Sequence, residues 1–352
     1  KEAALYLHRL FTSYGIACEV QDIGDNRANF IAELGDKNGK TLEFNGHLDV
    51  VPFSGEWSVA PLAATEKNGR IYGRGSSDMK GGVAAMCAAA IVLAQEKKPL
   101  CGTLRLAFVA DEEHVNKGVL AYQAHKKPAE LAVIGEPTDL EVAVAHRGVA
   151  RFFVDLHGVE RHAALSPKGE TAITLAAKAV LALQHMNETV QHQTHEVLPP
   201  PSMVVTMLQG YEKDNVVPAD VRLLTDYRLF PDTTEEQAKN EIAMAISSAG
   251  ITGYTMEKRH FMPGGALPGN DPFVQTCCAV AQKVLQRKSV PRSFDASCEQ
   301  CFLLRAGTKA VICGPGSLAQ AHATDEYVEK EQLLKAVQLY KALAKKILNE
   351  AK

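Results

Sequence analysis

Leu104-Arg105-Leu106-Ala107-Phe108-Val109 is an apolar run of strand length, and Ala110-Asp111-Glu112-Glu113 follows it. Two other segments repeat the arrangement. Thr41 to Asn45 leads into Gly46-His47-Leu48-Asp49, and Leu131 to Ile134 leads into Gly135-Glu136. Apolar runs of this length read as strands. Ala28 to Leu34 and Lys309 to Cys313 belong with them, while Ala-rich Met79 to Glu96 reads as a long helix. Such alternation predicts an α/β layer structure with a largely parallel or mixed sheet. The chain's end resumes it with a helix over Asp271 to Gln286 and a closing helix from Glu329. In that last helix Leu333, Val337, Tyr340, Ala344 and Ile347 share one face.

The middle of the chain has a different rhythm. Val149 to Gly158 reads as a strand, Glu170 to Met186 as a helix, and Met203 to Leu208 and Val221 to Leu229 as strands. Thr234 to Ala249 is a helix with Gln237 completing a capping box and Gly250 as its stop. A strand from Ile251 to about Glu257 closes the set. The order β-α-β-β-α-β is the ferredoxin-like pattern. The expectation is an inserted α+β domain over residues 149–260, embedded in an α/β domain made of 1–148 and 261–352. Pro199-Pro200-Pro201, after the polar stretch His192 to His195, reads as an exposed loop.

Composition limits the function classes. Of 352 residues, 46% are hydrophobic, which excludes a disordered or collagen-like chain. No apolar run reaches the ~20 residues of a membrane-spanning helix. A net charge of -3 leaves no broad basic surface, so neither nucleic acid nor a membrane is the expected partner. The eight cysteines are sparse, which fits a reducing cytoplasm. Cys298 and Cys301 form the one C-x-x-C, without a second pair, and read as helix spacing rather than a zinc or redox site. The chain opens at Lys1 inside an amphipathic pattern (Leu5, Leu7, Leu10, Phe11), so the native start is expected upstream and targeting is left open.

Chemistry collects at the strand ends. His47 and Asp49, then Asp111, Glu112 and Glu113, then Glu136, and finally His322 each follow a strand. In open α/β sheets ligands bind at that carboxyl edge. Asp78 joins them from Gly73-Arg74-Gly75-Ser76-Ser77-Asp78-Met79-Lys80-Gly81-Gly82, a tight turn opening onto a helix. Each piece has a plainer reading: a surface His-x-Asp pair, a solvated run of acids, Asp78 as a helix cap, His162 as an exposed histidine. The glycine turn lacks the third Gly and the Lys-Ser/Thr of nucleotide motifs. The joint occurrence, in order, favours a metal cluster.

As a set, five segments resemble the acetylornithine deacetylase and succinyl-diaminopimelate desuccinylase family of dinuclear metallohydrolases, which also holds carboxypeptidases and dipeptidases. They are Gly46-His47-Leu48-Asp49-Val50-Val51-Pro52, Tyr72 to Gly82, Ala110 to Glu113, Gly135-Glu136-Pro137-Thr138, and Gly314-Pro315-Gly316 through Ala321-His322. The closing run Cys313 to His322, with Asp325-Glu326-Tyr327-Val328, most resembles the acetylornithine deacetylase branch.

The resemblance implies a homodimeric, two-metal amidohydrolase that removes an N-acyl group from a small amino acid. His47, Asp78 and Glu136 would hold one divalent metal, and Asp78, Glu113 and His322 the other. Imidazole and carboxylate donors suit Zn²⁺, and also Co²⁺ or Mn²⁺. Asp49 would accept the second N–H of His47, and Glu112 would be the general base. The inserted domain would be a lid and dimerisation domain. From it, His162 would stabilise the oxyanion in the partner's site, while Asn215 and Arg228 hold the substrate carboxylate. The chain departs from the family at Arg161, where Gly or Ser is usual, and at Thr171, where Asn is usual. Both departures leave the substrate open. Succinyl-diaminopimelate or dipeptide hydrolysis is the alternative within the family. Outside it stands a non-catalytic binding protein, against which the intact Glu112 and ligand set argue.

Overall fold

Phe44 and its neighbours show how the sequence becomes a layer. Successive side chains of a strand point to opposite faces, and in the strand Thr41–His47 both faces are covered. Leu42 and Phe44 are fully buried on one side, where the Phe44 ring lies 5.3 Å from that of Tyr340 in the helix Lys330–Leu348. Burial of such a side chain contributes roughly 1.5–3 kcal/mol. The opposite side carries Glu43, Asn45 and His47, all buried and all polar.

The computed structural model describes residues 1–165 and 169–349. They form two units, residues 1–145 with 266–352 and residues 146–265. The junctions fall a few residues outside 149 and 260 because the strands flanking them, Gly148–His157 and Tyr254–Met262, begin earlier and end later than their apolar runs suggest.

In the first unit the sheet runs in the order 17–24, 27–35, 103–109, 41–47, 131–137, 309–314, 143–146. Its centre is parallel: 41–47 pairs in that sense with 103–109 and 131–137, as does 309–314 with 131–137. The outer strands 17–24 and 27–35 are antiparallel, so the sheet is mixed. Parallel register brings the carboxyl ends of the central strands to one edge. The helix Lys80–Ala94 packs so tightly on this sheet that a Cβ at Gly82 would stand 2.2 Å from the Gly135 carbonyl.

The second unit has four antiparallel strands in the order 202–209, 220–229, 148–157, 254–262, as the ferredoxin-like pattern requires. Ala176, Ala179 and Leu183 of the helix Ala172–Val190, and Ile242 and Ile246 of the helix Glu235–Ser248, share a core with Phe152, Val154, Leu156 and Leu223. The expected capping box at Thr234 and Gln237 is formed. In the 192–201 loop Pro199 and Pro200 are exposed, but Pro201 is buried against the expectation for that turn.

Candidate metal centre

The parallel edge delivers the predicted cluster. His47 is the last residue of its strand, and Glu136 lies inside the strand Leu131–Pro137 rather than beyond it. Glu112 and Glu113 sit in the turn after Thr103–Val109. His322 follows the strand Lys309–Gly314 by a short 3₁₀ turn and has φ 61°, a backbone region that non-glycine residues seldom occupy. Asp78 does not cap the helix that follows it: Met79 is the N-cap, without a side-chain cap bond.

Asp78 instead divides its carboxylate. Its Oδ1 lies 3.1 Å from His47 Nε2, and Glu136 Oε1 stands 3.8 Å from that same nitrogen. Its Oδ2 lies 3.3 Å from His322 Nε2, which is also 3.1 Å from Glu113 Oε1. One ligand atom each from His47, Asp78 and Glu113 fall within 4.8 Å of one another, so the two halves form one cluster. The ring of His47 is oriented by its Nδ1–H, which donates to the Asp49 backbone carbonyl at 3.0 Å. This corrects the expected role of Asp49. Its carboxylate stands 3.7 Å from that nitrogen, too far for a hydrogen bond, and accepts the Glu112 and Glu113 N–H groups at 3.3 and 3.1 Å. The main chain of Asp49 sets the histidine, and its side chain sets the turn bearing both glutamates.

Electrostatics show a site crowded with negative charge. Burial, together with Glu113, Asp78 and Asp49, pushes the Glu112 carboxyl up to about 8 against the opposing pull of His47. Burial and the Asp78 charge likewise raise Glu113 and Glu136. Burial would raise Asp78 as well, but hydrogen bonds from His322 and His47 hold it well below the usual carboxylate range. His322 rises to about 9 chiefly through its bond to Asp78. Burial would depress His47, yet Asp78, Glu136 and Glu112 hold it well above its ordinary value. Three carboxyl groups (Asp78, Glu113 and Glu136) and two imidazoles without a thiol are a hard nitrogen-oxygen donor set, and divalent cations among them would offset the crowding. The residues present fit such ions.

Residues 44–346 match the model of peptidase family M20/M25/M40. The chain belongs to that family. It is therefore a metal-dependent hydrolase of a family that acts on amide bonds. Similar M20 sequences include the acetylornithine deacetylase of Proteus mirabilis, 29% identical over 90% of this chain and 82% of that protein. A protein of Staphylococcus aureus named "Probable succinyl-diaminopimelate desuccinylase" is 28% identical, covering 98% of this chain and 92% of its own. The fold is shared with the M20 metallo-carboxypeptidase Sso-CP2 of Sulfolobus solfataricus (TM-score 0.79, 19% identity, 98% and 93% of the two chains). It is shared as well with the YXEP protein of Bacillus subtilis, a dinuclear metal binding peptidase (TM-score 0.72, 17% identity, 99% and 93%).

The other predicted residues of this M20 chain lie in the second unit. His162 ends a two-residue strand, Arg161–His162, paired with Val216–Val217, rather than sitting on a free loop. Asn215 precedes the latter strand, and its side chain stands 3.3 Å from His162 Nε2. Arg228 is tied to Asp226 through Nε at 2.7 Å and Nη2 at 3.4 Å, and among the described residues Nη1 has no partner. Thr171, the second departure from the family pattern, is the N-cap of the helix Ala172–Val190, its hydroxyl accepting the Thr174 N–H at 3.1 Å. Asp111 takes no part in the cluster: it pairs with Arg27 at 3.0 Å and accepts the Lys117 N–H.

Sequence reasoning quoted Glu326 within the run Asp325 to Val328 but gave it no role. It is fully buried, and its carboxylate holds the segment carrying Asp78. Oε2 accepts Arg74 Nη1 at 2.7 Å and the Gly75 N–H at 2.9 Å. Oε1 accepts the Ser77 and Asp78 N–H groups at 2.8 and 3.0 Å. The cysteines are all free. Cys301 lies in the helix Gln300–Arg305, and burial pushes its thiol up to about 12, as expected of an inert thiol. Among the described residues no helix is long and apolar enough to cross a membrane.

Proposed function

We propose that the protein is a two-metal amidohydrolase that removes the acyl group from an N-acyl amino acid, with N-acetylornithine-like compounds as the leading substrates. The observation that carries this reading is the division of the Asp78 carboxylate between two His/Glu pairs. His47 and Glu136 would hold one cation with Oδ1, and His322 and Glu113 the other with Oδ2. Zn²⁺ suits these donors best, with Co²⁺ or Mn²⁺ compatible. When bound, the cations would polarise the amide carbonyl and bring the pKa of water towards neutrality.

Glu112 is left outside both ligand sets, beside them in the same turn. It takes a proton from the attacking water and returns it to the departing amine, the task of a general base that becomes a general acid. Its carboxyl, near 8 in the metal-free chain, would be drawn down by adjacent cations to a value at which it can accept that proton. His162 donates to the oxyanion of the tetrahedral intermediate, and Arg228 offers Nη1 to the substrate carboxylate. A second copy of the chain completes the enzyme as a cytoplasmic homodimer formed through residues 146–265. Exposed Ile173 and Leu181 on the helix Ala172–Val190, and Val204 and Leu208 on the edge strand Ser202–Gln209, support that interface.

The run Cys313 to His322 supports the deacetylase reading over the desuccinylase one, while a desuccinylase-named relative of similar identity keeps the latter as the second reading. The test is hydrolysis of N-acetyl, N-succinyl and dipeptide panels by the metal-loaded protein. Fastest turnover of N-acetyl amino acids is expected. Absence of turnover on every member would refute the hydrolase assignment to this site.

A further inference from the structure

His162 and Asn215 stand side by side because the main chain holds them there. His162 pairs antiparallel with Val216, and the Ala163 N–H donates to the Asn215 carbonyl at 2.9 Å. Both ring nitrogens have a neighbour. Nδ1 accepts the Ala164 N–H at 3.1 Å, and Nε2 meets the Asn215 side-chain amide at 3.3 Å.

The first contact decides the tautomer. A ring nitrogen that accepts a hydrogen bond carries no proton, so in the neutral imidazole the proton is on Nε2. That N–H needs an acceptor. With the amide nitrogen turned towards the ring, donor faces donor, and Asn215 Oδ1 is buried without a partner among the described residues. A half-turn of the amide presents its oxygen to Nε2–H and replaces the conflict with a hydrogen bond.

We propose that Asn215 is a positioning residue for His162, its amide oxygen accepting the Nε2–H and so fixing the ring plane. Nδ1 is anchored to the backbone, so Nε2–H is the one ring donor left to serve an oxyanion. A contact of 3.3 Å is at the long end for N–H···O, and a negatively charged oxygen is the stronger acceptor. The ring can therefore be aimed by Asn215 at rest and give its proton's hydrogen bond to the reacting oxygen. This inference rests on the oxyanion reading of His162. It gives Asn215 a task other than the direct grip on the substrate carboxylate implied by the family resemblance.

The experiment compares the full-length, metal-loaded protein with its Asn215→Ala, Asn215→Asp, His162→Ala and His162→Ala/Asn215→Ala variants. Acting through His162, Asn215→Ala lowers kcat about 10-fold or more with KM little changed, as loss of a group that orients a histidine does. Asn215→Asp, which keeps an oxygen, retains most of kcat. The double variant is no slower than His162→Ala, since one effect passes through the other. Nitrogen-15 NMR of histidine-labelled protein, above the histidine titration, should show His162 as Nε2–H in the parent and in Asn215→Ala, because Ala164 still donates to Nδ1, with the Nε2 resonance shifted in the variant by loss of its acceptor. Raised KM with normal kcat in Asn215→Ala, loss of binding in Asn215→Asp, or a wild-type His162 protonated on Nδ1 would overturn the proposal. A fully active His162→Ala would instead remove the oxyanion reading, and the Nε2 resonance compared between parent and Asn215→Ala would still decide the contact between the two side chains.

Discussion

Glu326→Gln should damage both stability and metal binding, although Glu326 touches neither substrate nor a metal position. Its carboxylate accepts four hydrogen bonds, two on each oxygen. A glutamine keeps one oxygen and turns an NH₂ on two of those four donors, whichever way the amide lies. It also strips the counter-charge from Arg74, whose side chain is only 3% exposed. Removing one partner of a buried ion pair costs about 3–5 kcal/mol. Counting the two lost bonds to a charged acceptor at ~1.5–3 kcal/mol each gives a loss of the same size. For a unit of this size, ~2–4 °C per kcal/mol translates that into a fall in Tm of about 6–20 °C. Because the same carboxylate fixes the Asp78 N–H, metal affinity should fall by roughly 10–100-fold. Scanning calorimetry with and without metal, together with metal titration of the folded variant, measures both. Glu329→Gln, which removes the half-exposed Arg70 ion pair, is the comparison and should cost no more than ~1 kcal/mol. A Glu326→Gln protein with Tm within about 2 °C of the parent and unchanged metal affinity would show that this carboxylate does not hold the Asp78 segment.

Glu112→Gln should keep its metals and lose ~10²–10⁴-fold in kcat, whereas Glu113→Gln should weaken metal binding itself; near-normal turnover in the former removes its role as base. Chelation should abolish activity, and Zn²⁺ or Co²⁺ should restore it. Without metal, Glu112, Glu113, Glu136, His47 and His322 all titrate above their ordinary values. Each then contributes stability that is present below its unfolded pKa and lost as pH rises through the folded one. Asp78 has the opposite sign, but its contribution is lost only in strong acid. Metal-free Tm should therefore decline from pH 5 to 9, through about 8 for Glu112 and about 9 for His322, and metal should flatten the slope; a level metal-free profile contradicts the charge crowding. Mixing inactive Glu112→Gln and His162→Ala subunits should restore about a quarter of the parent activity if His162 serves its partner, because half the dimers formed are mixed and each has one intact site. No recovery despite proven exchange of tagged subunits would exclude that arrangement.

The strands that carry the cluster were readable because central parallel strands are buried on both faces and so appear as continuous apolar runs. Their ends were less readable. His47 and Glu136 interrupt the apolar run while still belonging to the strand, since a polar side chain can occupy the last ladder positions when it points into a site. The strand Ala17–Gly24 was missed because an edge strand is half solvated, and Glu19, Gln21 and Asp22 dilute its pattern. Glu326 offered no local signal: its donors lie some 250 residues earlier, so only folding reveals the pairing. The tie between Asp226 and Arg228 could have been found, because residues two apart on a strand share a face and Asp-x-Arg places opposite charges together. The exchange of roles between the carbonyl and carboxylate of Asp49 could not, as both lie within reach of one imidazole from any sequence view.

The insertion of residues 146–265 within the first unit also sets the order in which the protein can mature. The inserted unit is contiguous and has its own core, so it can close as soon as it leaves the ribosome. The enclosing unit cannot. Its sheet lacks the strand Lys309–Gly314, and Phe44 lacks Tyr340, until those segments emerge. At ~5–20 residues per second, the strands Thr41–His47 and Thr103–Val109 must wait many seconds with their apolar faces open. A nascent chain of this kind is most exposed to chaperones and to aggregation after its inserted unit is complete and before the helix Lys330–Leu348 arrives. His322, the last residue of the cluster to be made, therefore emerges late in this waiting period, between the strand Lys309–Gly314 and that helix.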